Sequence, residues 1–183
     1  YSSNISDVSK ILSELHYKVR MALLQNHDEY AVKDGMDIAL LAIKQNRVIF
    51  SGANNPLWIV RKTELITQEQ KDSKGTVVDD SYSLIEFKGD KQPVGRYYQI
   101  NPFTQVEVEL MQEDVLYLLT DGYADQFGGE KGKKLKYKPF KQMLIDGSQD
   151  VMSKQCESLS TKFDQWKTDF EQIDDVCVIG LKL

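Results

Sequence analysis

Positions 117–122 read YLLTDG, so that an apolar strand runs directly into Asp121 and Gly122. In a second stretch, Asp174 and Asp175 stand immediately before the apolar strand VCVIG. Carboxylates at strand ends can converge at one edge of a sheet, where they suit hard divalent cations that take oxygen ligands. Two such ions about 3.5–4 Å apart can activate a water and hold a phosphoryl group. The alternative is a plain turn at the first site and a helix-to-strand connection at the second.

The regions around these strands indicate the fold class. Hydrophobic spacing predicts an amphipathic helix over 6–25, capped by Ser6 or Asp7, and later helices over 138–145 and 151–170. Short apolar runs between polar turns predict antiparallel strands over 36–44, 47–53, 57–61, 64–67, 82–87, 106–110, 115–119 and 176–183, with loops over 25–33 and 69–80. Hairpins mixed with a few long helices are typical of an α+β protein.

Composition excludes several function classes. The net charge of −5 and the pI near 5.1 disfavour a nucleic-acid-binding surface. The two cysteines, Cys156 and Cys177, have no metal-binding spacing, which favours a reducing cytoplasm and predicts that both act as small apolar residues. No apolar run approaches the ~18 residues of a membrane span.

One segment of the chain is strongly basic. Positions 128–138 contain five lysines and three glycines but not the spacing of a phosphate-binding P-loop. A solvated loop is the favoured interpretation of the lysines, and a phosphate-recruiting patch is the alternative. The glycines predict a flexible flap.

Four ordered motifs resemble the SpoIIE-type phosphatases of the PPM (type-2C-like) class. The characteristic one is TDGYADQFGG at 120–129, and the others are DGMDIAL at 34–40 with SGANNP at 51–56, KQPVG at 91–95, and Asp174-Asp175-Val176. The resemblance covers essentially the whole chain. It predicts a single SpoIIE-like phosphatase domain over 1–183, corresponding to the C-terminal part of that domain.

The resemblance implies two antiparallel β-sheets packed face to face and flanked by helices. It implies a pair of Mn²⁺ or Mg²⁺ ions and hydrolysis of phosphoserine or phosphothreonine by a metal-bound water, with no side chain as nucleophile. Asp121 and Asp174 would be metal ligands, while Asp175, Gly122 and Asn54 would lie behind them or at the rim of the site.

The resemblance also bears on partners and location. It implies a phosphorylated bacterial signalling protein as substrate, an N-terminal sensory or regulatory region of the same parent chain, and a cytoplasmic location, and it is compatible with a homodimer.

Two early motifs of the family are missing, a Gly-Asp pair on a strand and an Asp-x-x-Gly-His-Gly-like segment. Asp34-Gly35 is interpreted as a turn, and His16 and His27 as ordinary structural or solvated histidines. Two carboxylates balance only half the charge of two divalent ions, so we expect weak metal binding by these residues alone. The alternative function is therefore a catalytically silent pseudophosphatase or a protein-binding signalling module.

Overall fold

The computed structural model describes residues 7–24, 35–95 and 101–182. The helices are, in chain order, α1 (Val8–Leu24), α2 (Gln68–Asp72), α3 (Gly122–Asp125), α4 (Tyr137–Asp146) and α5 (Met152–Lys167). The strands are β1 (Gly35–Met36), β2 (Ile38–Lys44), β3 (Arg47–Ala53), β4 (Leu57–Lys62), β5 (Tyr82–Phe87), β6 (Val94–Gly95), β7 (Val106–Glu109), β8 (Val115–Leu119), β9 (Phe127–Gly128), β10 (Lys133–Lys134) and β11 (Val178–Lys182).

The chain divides into two compact units. The first contains Tyr1–Leu57 and Phe87–Leu110, and the second contains Trp58–Glu86 and Met111–Leu183. The fold is mixed α+β with several antiparallel sheets, so the predicted fold class is confirmed. The assignment of 1–183 to one domain stays a prediction. No helix in the described part of the chain is long and apolar enough to cross a membrane.

The first unit packs α1 beside a three-stranded antiparallel sheet of order β2-β3-β7. The helix begins after Asp7, whose carboxylate accepts a hydrogen bond from the amide of Lys10 at 3.0 Å, and such a cap satisfies a backbone donor that has no partner within the helix. A small core joins these elements through Leu12, Ala53, Val94 and Phe103.

A four-stranded antiparallel sheet of order β11-β8-β4-β5 forms the frame of the second unit. Aromatic side chains fill the space between its strands and helices. Tyr123 stacks on Phe140 at 4.1 Å between ring centroids, and Trp58 meets Phe140 edge-on at 5.4 Å. Offset and edge-on ring pairs of this kind add to the free energy gained from burying apolar surface.

The second unit also contains a buried ion pair. The guanidinium of Arg61 in β4 donates two hydrogen bonds to the carboxylate of Asp114, at 2.9 and 2.6 Å. Both side chains are at most 3% exposed. Asp114 additionally accepts a bond from the amide of Met111, so the turn before β8 is tied to the neighbouring strand.

Two sequence predictions about connections are wrong. The predicted strand over 64–67 is a 3₁₀ turn, Thr63–Leu65, because Thr67 and Gln70 form a reciprocal capping box that starts α2. The predicted loop over 69–80 therefore holds most of that helix, and Val77 pairs with Leu84 of β5. The predicted loop over 25–33, Ser6, His27 and Asp34 lie outside the described residues.

Candidate functional site

The pairing of β8 with β11 brings the two acidic segments together. The strands are antiparallel, with Leu119 opposite Val178. The chain leaves β8 towards Asp121 at the same end of the sheet at which it enters β11 from Asp174 and Asp175. The backbone at Asp121 therefore lies near the backbone at Asp174 and Asp175, at one end of the sheet, although more than fifty residues separate them in sequence.

Thr120 links the two segments at this end of the β8–β11 pair by hydrogen bonds. Its hydroxyl donates to the carbonyl oxygen of Asp175 at 2.7 Å and accepts from the amide of Cys177 at 3.0 Å. Its own amide donates to the carbonyl oxygen of Cys177 at 3.0 Å. Three hydrogen bonds from one residue thus continue the strand pairing up to the carboxylates.

Gly122 allows the two segments to approach closely. A Cβ atom at this position would lie 2.5 Å from the carbonyl oxygen of Asp175 and 3.3 Å from a methyl group of Val176. Only a residue without a side chain fits against this backbone. The close contact gives Gly122 a steric reason to follow Asp121.

The carboxylates at this edge are exposed to solvent, as an ion-binding group must be before its ligand arrives. The backbone carbonyl of Asp121 accepts from the amide of Asp125 at 2.9 Å, which starts α3. The Asp174 carboxylate accepts from the amide of Asp175 at 2.7 Å, and its backbone carbonyl accepts from the side chain of Gln172 at 2.9 Å. Local hydrogen bonds therefore hold the backbone at both acidic positions.

Gln126 and Trp166 connect this edge to α5. Gln126 is fully buried, and its side-chain amide donates to the carbonyl oxygen of Glu171 at 2.9 Å. The indole of Trp166 donates to the carbonyl oxygen of Gln126, also at 2.9 Å. The segment that leads to Asp174 is thereby tied to the segment that follows Asp121.

The donor set fits part of a divalent-cation site. Asp121 and Asp174 provide hard carboxylate oxygens of the kind that Mg²⁺ and Mn²⁺ prefer. Within residues 7–24, 35–95 and 101–182, no group of three His, Cys, Asp or Glu side chains could hold a metal ion. His16 is buried against β6 in the first unit, where its Nδ1 accepts from the amide of Gly95.

Asn54 belongs to the first unit. It has a positive φ of 59°, and its side-chain amide donates to the carboxylate of Asp37 at 2.7 Å. These contacts give it a local role at the end of β3. Its place at the rim of the metal site stays a prediction.

Cys156 and Cys177 were predicted to act as small apolar residues, but both are exposed. The buried position is the preceding one, where Gln155 accepts a short hydrogen bond from the hydroxyl of Tyr117 in β8. Burial raises the pKa of Tyr117, which stays protonated as this donor.

Two residues that connect the acidic segments, Thr120 and Gln126, were not predicted from the sequence. The role of Thr120 could have been predicted, since a hydroxyl directly before an acidic residue at a strand end can form a hydrogen bond with a neighbouring strand. Gln126 gave no signal, because nothing in the sequence separates a buried glutamine that links two segments from an exposed one.

Comparisons with known proteins identify the family of the chain. The family model described as Stage II sporulation protein E (SpoIIE) matches residues 4–183. No curated protein sequence matches the chain.

Among solved structures, the SiaA-PP2C domain of Pseudomonas aeruginosa is similar with a TM-score of 0.75 and 22% identity, over 96% of this chain and 60% of that one. A serine/threonine phosphatase of S. agalactiae matches with a TM-score of 0.56 and 13% identity, over 96% of this chain and 71% of that one. RsbX in complex with magnesium matches with a TM-score of 0.55 and 13% identity, over 97% of this chain and 65% of that one.

These structural likenesses show a PP2C-like phosphatase fold. The chain spans only 60% of the length of the SiaA-PP2C domain. The family match extends over nearly every residue. The chain belongs to the SpoIIE family.

Proposed function

We propose that this domain is part of a metal-dependent protein phosphatase that hydrolyses phosphoserine or phosphothreonine in a bacterial signalling protein. The observation that supports the proposal is the β8–β11 pairing, which gathers Asp121 and Asp174 at one end of a sheet in a SpoIIE-family chain. The protein acts in the cytoplasm under the control of an N-terminal sensory or regulatory region.

The residues of this chain have distinct tasks in the proposed reaction. Asp121 and Asp174 hold a divalent cation, Mn²⁺ or Mg²⁺, with Asp175 beside them. Thr120 and Gly122 keep the two segments in register, so the carboxylates are in place before the ion binds. When bound, such ions activate water and neutralise the charge on the transferring phosphoryl group. No side chain serves as nucleophile.

Charge counting indicates that these carboxylates need further ligands for a two-ion site. Two aspartates contribute two negative charges against the four positive charges of two divalent ions. Ligands outside the described residues complete the site in this proposal, as the absent early motifs suggest.

The test is the Asp121→Asn substitution in the full-length protein. We expect Mn²⁺-dependent hydrolysis of p-nitrophenyl phosphate to fall by at least roughly 100-fold, since even residues behind metal ligands are worth about 10- to 100-fold. Calorimetric titration with Mn²⁺ should show weaker binding.

Asp169→Asn is the matched control, because Asp169 is exposed and makes no hydrogen bond or ion pair with another described residue. The Asp169→Asn protein should hydrolyse p-nitrophenyl phosphate as fast as the wild type. Undiminished turnover in Asp121→Asn would refute the proposed role of the carboxylate.

A second candidate function rests on the absence of a three-ligand group from the described residues. A pseudophosphatase would bind its phosphorylated partner without hydrolysing it. Full-length protein that binds a phosphoprotein but releases no phosphate with Mn²⁺ or Mg²⁺ would establish this alternative in place of the enzyme.

A further inference from the structure

A cationic hairpin follows the candidate site in sequence. Five lysines and one glutamate between Glu130 and Lys138 give this segment a formal charge of +4, in a chain whose net charge is −5. All five lysines are exposed: Lys131, Lys133, Lys134, Lys136 and Lys138. The rest of the chain therefore has a formal net charge of −9, and this segment is a local excess of positive charge.

Backbone hydrogen bonds and one buried side chain hold the hairpin against the second unit. Strands β9 and β10 pair antiparallel, with Lys133 opposite Gly128. The amide of Gly129 donates to the carbonyl oxygen of Trp166 at 2.9 Å, and Leu135 is buried in the core of the second unit. The lysine backbone is thus fixed before any partner binds, which lowers the entropic cost of binding.

Most of this positive charge is unbalanced. Lys134 pairs with Asp125 at 2.7 Å. Across the described ranges, none of the other four lysines forms an ion pair. Unbalanced like charges on a fixed loop repel one another, and binding of an anionic group relieves that repulsion.

The hairpin is bonded directly to the segment that carries Asp121. The amide of Lys136 donates to the carbonyl oxygen of Ala124 at 2.7 Å, and the amide of Leu135 donates to that of Gln126 at 3.0 Å. Gln126 in turn holds Glu171, three residues before Asp174. The lysines therefore lie on the same anchored structure as the candidate metal ligands.

We propose that the cationic segment from Phe127 to Lys138, which contains the β9–β10 hairpin and the first residues of α4, docks an acidic segment of the phosphorylated protein substrate. The inference rests on the proposed function and adds a substrate class to it: proteins with acidic residues near the phosphorylated serine or threonine. A short acidic peptide can contact the hairpin alone, whereas a long nucleic acid would also meet the acidic remainder of the surface.

The probes are two fluorescein-labelled phosphoserine peptides, one flanked by four aspartates and one flanked by serines. Their affinities for the full-length protein are measured by anisotropy in EDTA, so that turnover does not interfere. The wild type should bind the acidic peptide about 10-fold more tightly than the serine peptide, and 0.5 M salt should remove the difference.

The test variant is Lys131→Gln/Lys133→Gln/Lys138→Gln, which leaves the Lys134–Asp125 pair intact. The control is Lys10→Gln/Lys44→Gln/Lys88→Gln, which removes the same charge from three exposed lysines in the first unit. The hairpin variant should bind the acidic peptide roughly 3- to 10-fold more weakly, since it loses up to three exposed charge contacts. The control should stay within about 2-fold of the wild type.

Equal losses in the two variants, or no loss in either, would overturn the docking proposal. Tighter lysine-dependent binding of single-stranded RNA or phosphatidylserine vesicles than of the peptide would overturn it as well. Lysine-dependent binding together with no hydrolysis by the wild type supports docking and sinks the phosphatase proposal. Hydrolysis by the wild type with no preference for the acidic peptide supports the phosphatase proposal and overturns the docking proposal.

Discussion

Gly128→Ala is the sharpest test of how the hairpin is anchored. A Cβ atom at this position would overlap the carbonyl oxygen of Trp166 and lie 2.6 Å from its carbonyl carbon and 2.9 Å from its Cδ1. The carbonyl oxygen and carbon belong to the backbone of α5, so no side-chain rotation relieves the clash. The hairpin must move away from the helix.

The cost can be worked out from the contacts that would be lost. Separation breaks the Gly129–Trp166 and Trp166–Gln126 hydrogen bonds, each worth about 0.5–1.5 kcal/mol net. Residual overlap in a packed region adds about 1–3 kcal/mol. We therefore expect the free energy of unfolding to fall by about 2–6 kcal/mol.

Urea denaturation followed by tryptophan fluorescence measures this loss. Gly147→Ala is the matched control: its Cβ would lie 3.4 Å from the nearest atom, and its φ of −86° suits any residue. The control should change the free energy of unfolding by less than about 1 kcal/mol. A Gly128→Ala protein as stable as this control would show that the hairpin is not packed on α5.

Two further predictions concern the second unit. Asp114→Asn should lower the free energy of unfolding by about 3–5 kcal/mol, since it leaves the Arg61 charge buried without its counterion; a shift under 1 kcal/mol in urea denaturation contradicts this. Burial, reinforced by the charge of Asp164, raises the pKa of Tyr123 from 10.0 to about 12. The native state keeps a proton that the unfolded state releases, so stability should fall as pH rises from about 10 to about 12, by up to about 1.4 kcal/mol per pH unit. Tyr123→Phe should reduce that slope in urea denaturation, and an unchanged slope would refute the assignment.

The sequence predicted those elements whose side-chain pattern is strong. The run before Gln45 and the run after Asn46 formed the expected β2–β3 hairpin, and the apolar stretches over 115–119 and 176–183 contain β8 and β11. Elements with a weak side-chain pattern were not predicted. The helix α2 is five polar residues long and depends on a capping box, while the pairing of β9 with β10 depends on a distant tryptophan.

The sequence singled out the candidate residues, whose role stays a prediction, but not the way in which the structure brings them near one another. Asp121 and Asp174 stood out because one follows an apolar strand and the other precedes one. The closeness of their backbones follows from the β8–β11 register, which a sequence alone does not specify. The contacts that hold them, through Thr120, Gly122 and Gln126, join segments more than forty residues apart and leave no local pattern.

The position of Trp166 has a consequence for motion within the domain. The indole of Trp166 packs against the hairpin and donates to the carbonyl oxygen of Gln126, whose side chain holds the chain that leads to Asp174. We expect these parts to open and close together in a local unfolding event, as a single cooperative element. A fluctuation that displaces the lysines then also disorders the chain before Asp174, so the proposed docking surface and the proposed metal site are lost and restored together.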